Sequence, residues 1–535
     1  MHHLSKKSRA CFAAIFLSAL AFCPLDAQTT LADPNDAIYD DLDDWATKGL
    51  IKNLPRLRPY TQAMILGLLN EVKARGSTRD AAEAERYLDL LADKTVHARA
   101  DLRADTALSD SDSSSSLLAA TPGLSVNTLI GDHLGISARV EVTQDVTTDA
   151  TYGDENIGVQ AGFMRGSWGP IYDDGVVIGP QSPHSGQFSF SWRTPSLTAD
   201  VGLFMLQQGW PTSSSNLDSD GDPVGFNSFK YLMIHGIDWA PSPWLELGIY
   251  ESMVVVDRFE PLYLLPLSEY FFSQSFSNYA GNSFTGMSAS IYLPQAMKLD
   301  LVAYADDLSF VSIIRGDWDT KWKMAAQAAL SWAPESPLMQ RLSLDYTAVF
   351  PYMYTHWETA GTDSNGNDYN GALAYTNAGE NIGPALDPNS DRVTVKAKSR
   401  TIDGFQLTGL ARLIRHGNAS AGVADYNSST SASGDASGDL GDSGVFNSST
   451  NNSAWIFQGD YPTGTWPEYF RFLTQSILQI SAQAGLDLTY TRPIEGLGTA
   501  NFDFGYLFEY IANDGCVAGI TSIKHYLSLS VGLQF

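Results

Sequence analysis

The sequence predicts an all-β protein, a closed antiparallel transmembrane β-barrel preceded by a small helical bundle. Three observations carry this. The final strand alternates strictly: Leu527, Leu529, Val531, Leu533 and Phe535 fall on one face, Tyr526, Ser528, Ser530, Gly532 and Gln534 on the other. Lipid suits the first face and a polar lumen the second. Upstream, strand pairs joined by short turns alternate with long polar connections, the asymmetry of a barrel with tight periplasmic turns and long outer loops. The chain also begins with an export leader. Lipid offers no hydrogen-bond partner to a sheet edge, so such strands have to close.

The leader is residues 1–27: Lys6, Lys7 and Arg9 precede the apolar run Cys11–Phe22, and Ala27 offers a small residue for cleavage. Cys11 and Cys23 lie within it, which leaves Cys516 without an intrachain disulfide partner. No later stretch is apolar and long enough for a transmembrane helix. A formal charge of -27 makes the protein a poor nucleic-acid binder.

Asp36–Lys94 reads as helical. Ile38, Leu42, Trp45 and Ala46 sit at helical spacing, with Gly49 as a stop. Thr61 is placed to cap a second helix whose apolar stripe is Ile65, Leu66, Leu68, Leu69 and Val72. A third helix carries Ala84, Tyr87, Leu88 and Leu91. Three short helices are marginal alone and need a surface to pack on. The expected domains are therefore a helical bundle over 28–104, a Ser/Asp-rich linker over 105–121 and a barrel over 122–535.

Within the barrel the clearest hairpins are Met233–Trp239 with Trp244–Val256, Ser283–Tyr292 with Lys298–Ala305, Lys321–Trp332 with Arg341–Phe350, and Gln479–Tyr490 with Asn501–Ile511. Ser213–Asn227, Thr359–Asp391 and Tyr426–Ala454 are expected as outer loops. Trp239, Trp244, Trp332 and Tyr490 beside the short turns suit an interface girdle. At roughly 20–25 residues per strand and connection, the barrel portion allows about 16–20 strands. Inward parity places Asp200, Asp300, Asp306, Asp345, Asp487, Asp503 and Glu509 in the lumen, with Lys321, Lys323, Lys396, Lys398 and Arg400. Such groups either line a polar channel or pair to plug it.

No catalytic constellation is present, and the histidines stand apart from other metal ligands, so neither an enzyme nor a cofactor is expected. Asp218–Asp222 and Asp363–Asn367 alternate oxygen side chains as calcium ligands do, but lack the Glu that completes a calcium loop. An acidic loop tip is the simpler reading.

Four stretches carry a family resemblance: Tyr39–Tyr60 with its Leu-Arg-Pro-Tyr end; Arg165–Ser191, with Trp168-Gly169-Pro170 and an apolar strand at Val176–Gly179; His235–Pro266; and Tyr304–Asp307. Together they resemble the capsule-assembly, Wzi-type family of outer-membrane proteins. The resemblance implies an eighteen-stranded barrel with its helical bundle at the periplasmic mouth, and a role in holding capsular polysaccharide at the cell surface. It supplies no ligand residues, so the candidate ligand-binding residues are those of the matching motifs: Arg165, Trp168, Glu251, Arg258, Glu260, Tyr263, Asp306 and Asp307. Arg258 is expected to meet Asp306 at one level of the barrel. The expected partners are outer-membrane lipid, surface polysaccharide and the barrel-assembly machinery. A solute channel gated by the helices is the alternative, and conductance separates the two.

Overall fold

The computed structural model describes residues 33–92, 97–109, 115–130, 134–141, 146–171, 173–207, 229–256, 281–306, 315, 323–350, 353–354, 373–377, 380–417, 472–473, 477–494 and 498–534. Three helices come first: α1 (Ala37–Thr47), α2 (Gln62–Arg75) and α3 (Thr78–Ala92), with a two-residue strand β1 (Leu57–Arg58) between α1 and α2. Gly49 ends the first helical segment with φ +73°, a conformation that glycine adopts without strain. The Thr61 side chain accepts from the Met64 N–H and caps α2 (3.4 Å). Ile38, Leu42, Trp45, Met64, Leu68 and Leu69 are buried together, so the three helices share a core.

The remaining chain is strand. In order come β2 (His97–Ser109), β3 (Ser115–Ile130), β4 (Leu134–Glu141), β5 (Val146–Gly153), β6 (Ile157–Met164) and the short β7 (Ser167–Trp168). Then follow β8 (Ser185–Arg193), β9 (Leu197–Leu206), β10 (Lys230–Ser242), β11 (Leu245–Val256), β12 (Asn282–Leu293) and β13 (Met297–Asp306). Next are β14 (Lys323–Trp332), β15 (Met339–Val349), the short pair β16 (Thr376–Asn377) and β17 (Glu380–Asn381), and β18 (Ser390–Ser399). The last four are β19 (Phe405–Gly417), β20 (Leu478–Ile494), β21 (Gly498–Ala512) and β22 (Thr521–Gln534). Eighteen of these form one antiparallel ladder in chain order. At its end β22 pairs with β2, from Arg99↔Gln534 to Ser109↔Lys524, which brings the two ends of the ladder together.

Alternation sorts the side chains. Leu247, Ile249, Met287, Leu301, Leu344 and Leu413 are exposed on one face of the sheet. Their neighbours Glu246, Tyr250, Ser288, Asp300 and Val302 are buried on the other. An exposed apolar belt of this extent is costly in water and favourable in hydrocarbon. Trp239, Trp244 and Trp332 are exposed beside the short turns, and Phe405 stacks on Tyr490 at the same rim (4.2 Å). The helical unit sits at this rim. Lys52 Nζ donates to Pro243 O (2.6 Å), Arg79 donates to Ser336 O (2.9 Å), and Lys48 pairs with Glu335 (3.2 Å).

Two expectations are corrected here. The expected linker over 105–121 is largely strand, because β2 runs through Ser109 and β3 begins at Ser115. The bundle therefore ends before residue 97 and the sheet begins well before 122. The misreading has a simple origin. Half of the apolar parity of β2 is alanine (Ala98, Ala100, Ala104), too weak a hydrophobic signal to reveal its period of two. Val176–Gly179 is not a strand of the sheet; it is part of an inner strap with one bridge, Trp168↔Ile178. The leader, the loops 213–227 and 426–454, and both alternating acidic loops fall outside the described residues.

Candidate functional site

The lumen is the candidate site, and three segments of the chain enter it. The first is 52–60, between α1 and α2. Its strand β1 pairs with β7, which belongs to the second segment, 165–184. The third is 373–386, from the connection expected as an outer loop. Leu373, Ala374, Tyr375, Ile382 and Leu386 of this segment are buried, so this part of the connection folds inward. Its apolar residues leave water by joining a core that the strands by themselves could not fill.

Charge holds the first segment. Arg56 Nε donates to Asp238 Oδ1 (2.8 Å) and Arg56 Nη2 lies 3.4 Å from Glu246 Oε2. The Arg56 N–H donates to Asp200 Oδ2 (2.8 Å) and the Asn53 N–H to Glu246 Oε1 (3.0 Å). Arg193 donates to the carbonyls of Lys52 (2.8 Å) and Asn53 (3.0 Å), and pairs with Glu71 (2.6 Å). The inward carboxylates of β9, β10 and β11 thus receive a segment that is distant in sequence. Buried groups of this kind hold together because each charge is met by a partner.

Aromatic packing holds the second and third segments. Trp168 packs on Tyr250 (6.0 Å), Tyr250 on Tyr304 (6.1 Å), Tyr304 on Phe284 (5.2 Å), and Phe284 on Tyr375 (4.9 Å). Tyr354 Oη donates to Val176 O (2.6 Å), and the Gly179 N–H donates to Ile382 O (2.9 Å), so the two straps also meet each other. Gln327 on β14 clasps the strap at both ends of its amide: its Oε1 accepts from the Val176 N–H (3.0 Å) and its Nε2 donates to Asp174 O (3.0 Å). The wall makes room with glycine. A Cβ on Gly236 would lie 2.7 Å from Trp168 Cζ2, and one on Gly286 would lie 1.9 Å from the Tyr250 ring.

The candidate residues separate on this frame. Trp168 lies at the centre of the lumen and is buried, and its Nε1 has no hydrogen-bond partner among the described residues. It is a packing residue. Arg165 lies at the start of the second segment. Asp306 is buried and pairs with Lys323 (2.6 Å). That partner comes from the adjacent strand β14, and the expected pairing of Asp306 with Arg258 lies outside the described residues. Glu251 shares parity with the exposed Leu247 and Ile249, so it lies on the opposite face of the sheet from Trp168, 3.8 Å from His235 Nε2. Arg258, Glu260, Tyr263, Asp307 and Lys321 fall outside the described residues. Among the described candidates, Trp168 and Glu251 thus lie on opposite faces of the sheet. Arg56, Arg58, Asp238, Glu246 and Gln327 were missed. The inward parity of Asp238 and Glu246 could have found those two, but the sequence holds no signal that Arg56 is their partner.

Two carboxyls of α1 tie the helical unit to the sheet with opposite pH behaviour. Burial works against charge on Asp40, but Lys398 and Lys396 outweigh it, and Lys398 Nζ donates to Asp40 (2.7 Å); the carboxyl is held below the usual range. Burial pushes Asp44 up to about 7, only partly offset by Arg341 at 3.5 Å and the Gln340 amide at 2.9 Å. The Asp40 contribution is complete above the ordinary carboxylate pKa and is lost as pH falls through its lowered value. The Asp44 contribution is complete below the ordinary pKa and is lost as pH rises towards about 7. Protection of α1 against hydrogen exchange, corrected for the intrinsic base-catalysed rate, is therefore expected to fall between about pH 4 and about 7, and Asp44→Asn to flatten that fall. An unchanged pH dependence in the variant overturns this.

No protein-family model and no curated protein matches this sequence. Among solved structures, the chain is similar to Wzi, an outer membrane protein involved in group 1 capsule assembly in Escherichia coli and described as a carbohydrate-binding β-barrel. The TM-score is 0.53 at 11% identity, covering 95% of this chain and 99% of that one. OprD, an outer membrane protein of Pseudomonas aeruginosa, matches at TM-score 0.40 and 9% identity, over 82% of this chain and 93% of that one. OccD3 of the same organism matches at TM-score 0.39 and 12% identity, over 83% and 91%. The likeness to Wzi speaks for the fold alone: this chain has an outer-membrane β-barrel fold.

Proposed function

We propose that the chain is a closed, eighteen-stranded barrel of the outer membrane that holds polysaccharide at the cell surface and is not a diffusion channel. The observation that carries this is the filling of the lumen. Segments 52–60, 165–184 and 373–386 meet there, joined by β1–β7 pairing, by the Gly179–Ile382 hydrogen bond and by the aromatic column from Trp168 to Tyr375. A solute channel needs a continuous wet path, whereas a glycan anchor needs a rigid frame and an outer surface. The short-turn rim bearing the helical unit is then periplasmic. The likeness of fold to a carbohydrate-binding barrel supports the reading.

Two measurements test it together. In planar bilayers the purified protein is expected to give no steady conductance. In the source organism, deletion of the gene is expected to release surface polysaccharide into the medium while outer-membrane integrity is kept. Steady, solute-selective conductance with unchanged polysaccharide retention overturns the proposal in favour of a channel.

A further inference from the structure

The lumen filling is lopsided. The aromatic column lies against β10–β13, while charged and polar side chains line the inner face of β15 and β18–β20. Two cavities of about 190 Å³ each meet here, one between the strap, the start of α1 and β13–β15, the other between the strap and β15 and β18–β20, and they share Asp173, Asp345 and Lys396. They form one polar chamber. On its far side stand Arg392, Arg412 and Asp487, with Thr394 and Thr408 between them.

Some of these charges satisfy each other. Arg392 pairs with Asp174 of the strap, and Lys396 with Asp173 (2.9 Å). Three do not. Arg412, Asp345 and Asp487 make no ion pair among the described residues. The Arg412 Nε is buried without a hydrogen-bond partner, as is the Nε of Arg392, whose side chain is only 5% exposed. Asp345 takes one hydrogen bond, from Ser343 Oγ (3.1 Å). The register brings them together: Asp345 lies opposite Thr394, Thr394 opposite Arg412, and Asp487 opposite Thr408 two strand rows away. Asp487 is exposed even though its parity is inward, so water reaches the chamber along β20.

The buried Nε donors of Arg392 and Arg412, left over in this way, are costly unless something meets them, and Asp345 and Asp487 stand beside them with acceptors to spare. Guanidinium offers only donors, carboxylate only acceptors, and the threonine hydroxyls both. A ligand that answers all of them carries many groups that donate and accept at once. The three unpaired charges sum to a single negative charge, so an anionic ligand would face two carboxylates. We infer that this chamber binds one neutral, pyranose-sized sugar unit, its hydroxyl oxygens accepting from Arg412 and its hydroxyl hydrogens donated to Asp345 and Asp487. The inference rests on the glycan reading above and gives it a luminal subsite.

The test uses the full-length protein folded in detergent micelles, its fold checked by the mobility difference between unheated and boiled samples. The probes are the methyl α-glycosides of glucose, galactose and mannose, with glucuronate as the charged comparison, read by saturation-transfer NMR and calorimetric titration. At least one neutral glycoside is expected to saturate in the millimolar range. Arg412→Gln and Asp487→Asn are each expected to weaken it at least tenfold, while Arg415→Gln, on the opposite face of the same strand, leaves it unchanged. Three outcomes overturn the inference: no neutral glycoside saturating, saturation undiminished in both chamber variants, or glucuronate binding where the neutral glycosides do not. The parent reading fails separately. Glycoside binding in a protein whose deletion leaves surface polysaccharide in place sinks the anchoring role and leaves the chamber standing. Retention without glycoside binding sinks the chamber alone.

Discussion

Arg56→Ala is expected to destabilise the folded protein by about 3–5 kcal/mol, because it leaves buried carboxylates without their cation. Arg56 is almost fully buried between Asp238 at 2.8 Å and Glu246 at 3.4 Å, and both carboxylates are buried as well. Removing the guanidinium is unlike removing the whole cluster, since the acids remain on the wall of the lumen. The measurement is the urea midpoint of detergent-folded protein, followed by tryptophan fluorescence. A second readout follows from the position of Arg56 in segment 52–60. With its tether gone, the segment is expected to leave the lumen intermittently, and transient conductance steps should appear in bilayers where the wild type gives none. Asp238→Asn is expected to do less, because the Arg56 charge keeps Glu246. A variant with an unshifted midpoint and a silent bilayer record would show that the segment is held by other contacts.

Trp168→Ala is expected to cost about 3–5 kcal/mol by a different route, the loss of buried volume. Trp168 is among the largest fully buried side chains and joins the β1–β7 pair to Tyr250 on the wall. Strands β10 and β11 cannot collapse onto the vacated space, because their spacing is fixed by the ladder around them. Trp168→Phe separates packing from hydrogen bonding. The indole N–H has no partner among the described residues, so phenylalanine gives up volume only and is expected to cost well under half as much. Equal losses in the two variants would mean that the indole N–H, and not the buried volume, carries the cost.

The wall of the molecule was legible because a strand between lipid and lumen obeys one local rule. Ile249 and Tyr250 differ in fate only by parity, and parity can be counted along a chain. The hairpins around Pro241–Pro243, Pro294 and Pro493 were legible for the same reason, since a tight turn has to be short and needs particular residues. Strand β2 escaped because alanine marks a face too faintly, even though its alternation is intact. The strap at Val176–Gly179 reads as a strand because its residues are β-formers, and propensity does not say whether a segment joins the sheet or packs inside it.

The filling of the lumen was not legible. Asp238 and Glu246 were recognisably inward, but nothing near them in sequence indicated that Arg56 would be their partner. Gly236 and Gly286 stood at inward positions, and only the packed structure shows that each gives space to a ring, Trp168 in one case and Tyr250 in the other. The segment 373–386 has the turn-rich composition of an outer loop, and what draws it inward is the apolar surface presented by Phe284, Tyr304 and Tyr354. By itself, the sequence determined a sheet with one lipid-compatible face, one polar face and a small helical unit ahead of it, because periodicity and turn chemistry act over a few residues. The tertiary structure alone decided that the lumen is packed with aromatic rings on one side and lined with charged side chains on the other. That outcome depends on side chains more than a hundred residues apart meeting at one level of the barrel, and local patterning carries no record of such distances.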